Sequence, residues 1–157
     1  MTATTPDVGD LAPSFDLPRD GGDQVSSGAL TGKPIVLFFY PRDNTSGCTK
    51  EAVAFSALKS EFEALRTVVL GVSKDSVASH DKFRDKHALT VPLLSDEADD
   101  VCERFGVWKE KKMYGRAFMG IERSTFLIGS DGRIAKVWRK VKVPGHAEAV
   151  LDAARAL

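Results

Sequence analysis

The longest uninterrupted hydrophobic segments of the chain are two short runs without alternating polar positions. The first, residues 35–40 (Ile-Val-Leu-Phe-Phe-Tyr), lies between Pro34 and Pro41, and the second covers residues 67–72 (Thr-Val-Val-Leu-Gly-Val). Continuous apolar runs of this length are typical of strands that are buried on both faces of a sheet. The pattern therefore predicts a central parallel or mixed sheet that contains both runs.

The segment between the two runs has the period of a helix. Its apolar residues recur every three or four positions and form one helical stripe that consists of Phe55, Leu58, Phe62 and Leu65. We expect Thr45 or Ser46 to cap the N-terminus of this helix. Because strand, helix and strand follow one another as a βαβ unit, the two strands are expected to be parallel.

The rest of the chain completes an α/β pattern with weaker signals. Helices are predicted at residues 73–86, 96–105 and 145–157, short strands at 15–17 and 91–94, a β-hairpin at 124–128 and 134–138, and a long irregular connection at 108–120. Together these elements predict one domain over residues 1–157. It is a three-layer α/β sandwich of the thioredoxin kind, with a central mixed β-sheet, helices on both faces and an N-terminal β-hairpin. Residues 1–8 are polar and are expected to form a loose arm.

Composition and charge narrow the functional classes. The 157 residues carry 22 basic and 22 acidic side chains, so no net charge attracts nucleic acid or a membrane surface. The apolar runs are far shorter than the roughly 20 residues of a membrane span, and the first residues lack the pattern of a secretory signal, so a cytoplasmic protein is expected. His80, His87 and His146 lack the spacing of metal ligands, and the glycines form no nucleotide-binding motif. Neither a metal nor a cofactor is therefore expected.

Cys48 is the residue with the clearest chemical potential. It falls in the first turn of the predicted helix, where unpaired N–H groups and the positive end of the helix dipole favour a thiolate over a thiol. The alternative is a buried structural cysteine, since free cysteines are among the most buried residues. The neighbours Thr45, Ser46, Gly47 and Thr49 are small and polar, which favours an accessible, reactive thiol.

A reactive thiolate also needs a cation nearby. The candidates are Arg42, Arg123, Lys50 and His80. Arg123 stands out because it directly precedes the apolar segment 124–128, so its charge would be fixed and partly desolvated. Its planar guanidinium also suits contact with a thiolate and a departing oxygen. The Thr45 hydroxyl could hold an oxygen-containing substrate or only cap the helix, and Pro41 could shield the thiolate or only end the strand.

The second cysteine, Cys102, faces inward beside Val101 on its short predicted helix. One interpretation is a buried and inert thiol. The other is a disulfide with Cys48, which the entropy of the intervening loop permits, although the two sulfur atoms would have to meet within strict geometry.

The residues singled out above match a known family. Pro41, Thr45 and Cys48 form the P-x-x-x-T-x-x-C signature of the peroxiredoxins, and the chain resembles their bacterioferritin-comigratory-protein subfamily, also called PrxQ. The matching segments are residues 9–15, 38–41, 47–51, 71–73, 94–96, 105–108, 119–128 and 131–132. So many matches in the same order make the resemblance specific.

This resemblance implies a thioredoxin-like fold and the reduction of hydrogen peroxide and alkyl hydroperoxides. It makes Cys48 the peroxidatic cysteine, which the peroxide converts to a sulfenic acid. Thr45 and Arg123 would then activate this cysteine and align the peroxide, and Pro41 would shield it. Supporting roles fall to two residues of the same motif, Gly47 and Glu51.

Three departures from the family pattern bear on the catalytic cycle. Val53 stands where many members carry a resolving cysteine, residues 77–86 contain none either, and Ser46 replaces the usual proline of the motif. A one-cysteine cycle is therefore expected, in which an external thiol reduces the sulfenic acid. This reductant would be a small thiol, a glutaredoxin or a thioredoxin. The protein is expected to be a monomer or weak homodimer. Cys102 as an atypical resolving cysteine is the alternative.

Two other functions would use the same residues. A peroxide-sensing, redox-regulated binding or holdase protein would be oxidised at Cys48 without sustained turnover. A thiol–disulfide oxidoreductase is disfavoured, because the residue three positions before Cys48 is Thr45 and the chain therefore has no C-x-x-C motif.

Overall fold

A five-stranded mixed sheet lies at the centre of the computed structural model, which describes residues 6–157. The strands in this part of the chain are β1 (Asp16–Pro18), β2 (Gln24–Ser26), β3 (Ile35–Phe39), β4 (Val68–Ser73), β5 (Leu93–Ser95), β6 (Trp108–Met113), β7 (Arg116–Ile121), β8 (Ser124–Ile128) and β9 (Ile134–Trp138). The central sheet has the order β5-β4-β3-β8-β9, with β3 parallel to β4 and antiparallel to β8. The predicted βαβ unit and mixed sheet are confirmed.

Helices and a hairpin cover the two faces of this sheet. The helices are α1 (Ser46–Ala57), α2 (Lys59–Ala64), α3 (Val77–His87), α4 (Val101–Arg104) and α5 (His146–Arg155). Side chains of β3 alternate between two cores: Val36 and Phe38 pack with α1, α2, α3 and α5, whereas Leu37 and Phe39 pack with α4 and β1. The predicted thioredoxin-like sandwich is thus confirmed, and the antiparallel pair β1–β2 is its predicted N-terminal hairpin.

The helix that follows β3 ends earlier than its hydrophobic stripe predicts. At Leu58 the backbone leaves helical geometry (φ −98°, ψ 4°), and the Leu58 N–H is shared between the carbonyls of Ala54 and Phe55. The chain then continues as α2, and Phe55 and Phe62 remain in the same core. Because neither glycine nor proline marks the break, the spacing alone could not locate it.

The prediction of an irregular connection at residues 108–120 was wrong, because this segment forms the antiparallel hairpin β6–β7. Tyr114 and Gly115 connect the strands, and both have positive φ (52° and 77°), as a two-residue type I′ turn requires. Most side chains on both faces of the hairpin are exposed. The sequence therefore lacks the alternation that would have revealed two strands.

The predicted helix over residues 96–105 was too long. Asp96 remains outside α4, where its buried carboxylate accepts hydrogen bonds from the N–H groups of Val101 (3.1 Å) and Cys102 (2.7 Å). An acidic residue therefore stabilises the helix N-terminus from a preceding segment rather than from the first turn.

The beginning of the expected N-terminal arm, residues 1–5, lies outside the described residues. Pro6 is buried, and its carbonyl accepts a hydrogen bond from Arg139 Nη2 at 2.7 Å. Within residues 6–157, no helix has both the length and the apolar character needed to cross a membrane.

Candidate active site

The strand register brings residues from distant parts of the chain around Cys48. Because β8 runs antiparallel to β3, with Ser124 opposite Phe39, the start of β8 lies beside the loop that follows β3. This loop leads directly into α1, of which Cys48 is the third residue. Arg123, immediately before β8, is therefore close to the first turn of α1.

Arg123 bridges Cys48 and Glu51 through two different nitrogens. Its Nη2 lies 3.2 Å from Cys48 Sγ, and its Nη1 lies 2.7 Å from Glu51 Oε1. Cys48 and Glu51 are each only 1% exposed. The expectation of an accessible thiol was wrong, because the small polar neighbours occupy the outer side of the turn while Cys48 packs into the core against the sheet.

The first turn of α1 offers unpaired hydrogen-bond donors beside the thiol. The first helical bond runs from the Thr49 N–H to the Thr45 carbonyl at 2.9 Å. The N–H groups of Ser46, Gly47 and Cys48 have no acceptor within residues 6–157. Such N–H groups and the helix dipole together stabilise negative charge on a nearby atom.

Glu51 shares the guanidinium with Cys48, and its protonation changes with pH near neutrality. Burial raises the pKa of Glu51 to about 7, against the opposing charge and hydrogen bond of Arg123. Its second oxygen, Oε2, has no hydrogen-bond partner within the described part of the chain. For Arg123, burial lowers the pKa, but the charges of Glu51 and Cys48 outweigh this effect and the pKa is raised. When Glu51 is protonated, its negative charge no longer offsets the charge of Arg123. The positive potential at Cys48 Sγ is then higher, which favours the thiolate.

Thr45 occupies the N-cap position of α1, but its side chain does not cap the helix. Its Oγ1 donates a hydrogen bond to the Arg42 carbonyl at 2.9 Å, so the lone pairs of this exposed oxygen can accept one. Pro41 is half-buried and directly follows Tyr40, the last residue of the apolar run.

Gly47 makes room for the guanidinium. A Cβ atom at this position would lie 3.2 Å from Arg123 Nη2, the same nitrogen that contacts Cys48. A side chain at residue 47 would therefore press against the central contact of the site.

The other three candidate cations do not contact Cys48. Arg42 and Lys50 are exposed, and His80 is buried with its Nδ1 2.7 Å from Asp43 Oδ2. Of the four candidates, the structure brings only Arg123 to the sulfur within residues 6–157.

Cys102 is separated from Cys48 by the central sheet. Cys48 belongs to the core on the α1 side, whereas Cys102 belongs to the core on the α4 side and is 0% exposed. Neither thiol is in a disulfide. Burial and the charge of Asp96 raise the pKa of Cys102 well above its usual range, which disfavours its reactive thiolate form.

Lys111 is a further charged residue near the site that the sequence did not reveal. Its stem crosses over Gly120, where a Cβ would lie 3.2 Å from Lys111 Cδ, and its ammonium donates a hydrogen bond to the Ile121 carbonyl. Burial and then the charge of Arg123 lower the pKa of Lys111. The only available signal was the hairpin itself, since pairing β6 with β7 places Lys111 beside the strand that leads to Arg123.

Comparisons with known proteins agree with this fold and identify the family. The AhpC/TSA family model matches residues 8–137. The chain is 50% identical over 147 residues to a peroxiredoxin Bcp of Xanthomonas campestris, covering 92% of each, and 47% identical over 148 residues to that of Bacillus subtilis, covering 94% of each. A solved Xanthomonas campestris bacterioferritin comigratory protein, described for its alkyl peroxide reduction activity, superposes with a TM-score of 0.87 at 45% identity and 98% coverage of both chains. The chain belongs to the AhpC/TSA family and, within it, to the Bcp/PrxQ peroxiredoxins.

Proposed function

We propose that this peroxiredoxin reduces hydrogen peroxide and alkyl hydroperoxides with Cys48 as its peroxidatic cysteine. The observation that carries the assignment is the 3.2 Å contact between Arg123 Nη2 and Cys48 Sγ at the N-terminus of α1. A guanidinium and a helix N-terminus both favour the thiolate, which is the nucleophilic form. The alkyl peroxide reduction described for the similar Xanthomonas protein supports this substrate class.

The first half-reaction is a displacement at oxygen. The Cys48 thiolate attacks one oxygen of the peroxide, so that an S–O bond forms as the O–O bond breaks. The departing hydroxide or alkoxide takes up a proton and leaves as water or alcohol, and Cys48 becomes a sulfenic acid. Arg123 and the unpaired N–H groups of the first turn stabilise the charge that moves to the departing oxygen.

Four other residues of the motif complete this arrangement. The Thr45 hydroxyl has already donated its hydrogen to the Arg42 carbonyl, so it accepts the hydrogen bond of the peroxide O–H. Pro41 limits the access of water to the thiolate. Gly47 and Glu51 act through Arg123, the first by leaving it space and the second by holding its other nitrogen.

The second half-reaction uses an external thiol. That thiol attacks the sulfenic sulfur, giving a mixed disulfide and water, and a second thiol then releases Cys48. We expect a small thiol, a glutaredoxin or a thioredoxin in this role, because the central sheet separates Cys48 from Cys102. We expect a monomer or weak homodimer.

Replacing each cysteine tests the assignment. Cys48→Ser is expected to abolish peroxide consumption in the presence of a thiol reductant, because a hydroxyl is not ionised at neutral pH. The control Cys102→Ser should keep the rate of the first turnover close to that of the wild type. Activity that survives in Cys48→Ser and disappears in Cys102→Ser would reject the proposal.

Mass spectrometry distinguishes the possible cycles. After one equivalent of peroxide without added thiol, a one-cysteine enzyme gains the mass of one oxygen atom. A loss of two hydrogen atoms would instead identify Cys102 as the resolving cysteine. Oxidation of Cys48 without turnover under any thiol reductant would favour a peroxide sensor or holdase.

A further inference from the structure

Asp43 is a buried carboxylate in a loop whose neighbouring residues are exposed. It lies in the loop between β3 and α1 and is 7% exposed, whereas Arg42 and Asn44 on either side are exposed. Its Oδ1 accepts a hydrogen bond from the Tyr40 hydroxyl at 2.7 Å, and its Oδ2 accepts one from the Ser79 hydroxyl at 2.8 Å. A loop carboxylate held this way is part of the interior of the protein.

The remaining partner of this carboxylate is His80 of α3. His80 Nδ1 lies 2.7 Å from Asp43 Oδ2, and His80 Nε2 lies 2.9 Å from the Leu94 carbonyl oxygen. A carbonyl only accepts hydrogen bonds, and an ionised carboxylate does the same, so both ring nitrogens carry a hydrogen. His80, which is 0% exposed, is therefore a buried imidazolium paired with a carboxylate.

The surroundings of the ring favour this charge. Burial lowers the pKa of His80, but the hydrogen bond and charge of Asp43, the Leu94 carbonyl and the charge of Asp75 outweigh burial, and the pKa is raised. The titratable groups that face the ring are Asp43 from the loop, Tyr40 after β3 and Asp75 after β4. Burial and the charge of Asp43 raise the pKa of Tyr40 well above its usual value, so the phenol stays neutral.

Further contacts attach the same loop to α3 and to the segment after β4. The Asp43 N–H donates a hydrogen bond to Asp75 Oδ2 at 2.8 Å, and Asn44 Oδ1 lies 3.1 Å from His87 Nε2 at the end of α3. Asn44 has a φ of 61°, in the left-handed region, which asparagine adopts more readily than most residues other than glycine. The path of this loop is therefore set by its partners, and its next residue is Thr45, where α1 begins.

We propose that His80 is a positioning residue of the peroxidase reaction: paired with Asp43, its imidazolium holds the loop that places Thr45 and the first turn of α1. The inference rests on the proposed function. A displacement of about 1 Å at reacting groups can lower a rate by about a hundredfold. The ion pair exists while His80 is protonated and is lost as the pH rises through its pKa, so the reaction should slow there.

The test compares the wild type with His80→Gln and with the control Ser79→Ala. Glutamine removes the positive charge, whereas Ser79→Ala removes an uncharged hydrogen bond to the same Asp43 oxygen. We would measure the single-turnover rate of Cys48 oxidation by hydrogen peroxide from about pH 6 to about pH 9, so that no reductant takes part. The wild type and Ser79→Ala should slow at alkaline pH with the same midpoint. His80→Gln should be about tenfold slower at neutral pH. It should lack the part of the alkaline decline that follows the titration of His80 and keep only the change near pH 7 that accompanies the titration of Glu51.

Nuclear magnetic resonance of the histidine rings gives an independent measurement. In the wild type, the ring signals that disappear in His80→Gln should show two protonated nitrogens at neutral pH, and their titration midpoint should match the alkaline decline in rate. A neutral His80 ring overturns the proposal. So does a folded His80→Gln variant with the rate and pH profile of the wild type.

The design separates this inference from the proposed function. If the wild type does not react with peroxide, the proposed function fails, while the protonation of His80 and the hydrogen exchange of the Asp43 amide still test whether the ion pair holds the loop. If His80→Gln does not fold, Asp43→Asn takes its place, because asparagine keeps an acceptor for Tyr40 and removes the negative charge. A wild-type pH profile in Asp43→Asn would also reject the inference.

Discussion

At Gly47, the absence of a side chain determines where the guanidinium of Arg123 can lie. A Cβ atom there would be 3.2 Å from Nη2, and Nη2 is itself 3.2 Å from Cys48 Sγ. The backbone of Gly47 is not in the left-handed region, so alanine would fit the helix without strain. Glycine is therefore needed at this position to leave space for Arg123, and the backbone conformation does not require it.

Gly47→Ala should separate activity from stability. The displaced guanidinium should lower kcat/KM for hydrogen peroxide about tenfold. The free energy of unfolding should stay the same or rise by up to about 1 kcal/mol, because alanine is the better helix former. Peroxide consumption and urea unfolding measure the two quantities, with Ser46→Ala as the control in the same turn. Full activity in Gly47→Ala would contradict the role assigned to the glycine.

Among the elements, β4 and α1 are held together through one aromatic ring of β3. Phe38 is opposite Gly71 in the parallel pair and stacks on Phe55 of α1, with ring centroids 4.6 Å apart and an interplanar angle of 13°. A Cβ at Gly71 would lie 2.7 Å from Phe38 Cζ, closer than packed atoms come. The missing side chain in β4 thus allows the stacking that seats α1 on the sheet.

Gly71→Ala should destabilise the protein. The overpacked Phe38 would have to shift, which typically lowers the free energy of unfolding by about 1–3 kcal/mol. Urea denaturation measures this change. The exposed Gly28, where a Cβ would meet nothing closer than 3.9 Å, provides the control: Gly28→Ala should change stability by no more than about 0.5 kcal/mol. Equal stability of the two variants would show that Phe38 adapts without cost.

At the scale of the whole molecule, three of the buried groups with shifted pKa values, Glu51, His80 and His146, affect stability in the range from weakly acidic to neutral pH. Burial raises the pKa of Glu51 from 4.5 to about 7, and the pKa of His80 is raised above 6.5. Both groups therefore hold a proton in the folded chain at a pH where the unfolded chain has lost it. His146 behaves in the opposite way, because burial lowers its pKa from 6.5 to about 4. Below pH 6.5 the unfolded chain binds a proton at His146 that the folded chain does not bind, which lowers the free energy of unfolding. This effect fades as the pH rises above 6.5.

Stability should consequently fall as the pH rises above 6.5. When the folded chain binds more protons than the unfolded chain, the free energy of unfolding decreases with pH. This holds for Glu51 up to about pH 7 and for His80 through its raised pKa, and His146 no longer opposes them there. Urea unfolding at a series of pH values measures the slope, which Glu51→Gln and His80→Gln should each reduce. A slope that is flat or rising in the wild type would contradict the assignment.

The strands and the main chemical residues could be read from local patterns. Two continuous apolar runs, the first of them bounded by prolines, predicted β3 and β4, and helical spacing after the first run placed Cys48 in a first turn. The resemblance added roles for Thr45, Arg123 and Pro41, which remain proposals. The ends of helices and two of the strands were harder to predict. No glycine or proline marks the end of α1 at Leu58, and the hairpin β6–β7 is exposed on both faces. Period-based prediction depends on one buried face, so it fails where both faces are solvated.

The sequence by itself determined which residues could do the chemistry and in which order the central strands and helices follow one another along the chain. Both can be read locally, because side-chain type and hydrophobic period are local properties. Only the tertiary structure decided which of those residues meet. The antiparallel register of β3 and β8 placed Arg123, and none of the other three candidate cations, beside Cys48. The packing of α3 against the loop between β3 and α1 paired His80 with Asp43. The packing of α1 and α4 against opposite faces of the sheet placed Cys48 and Cys102 in different cores. Such pairings depend on long-range strand register, which local periodicity does not encode.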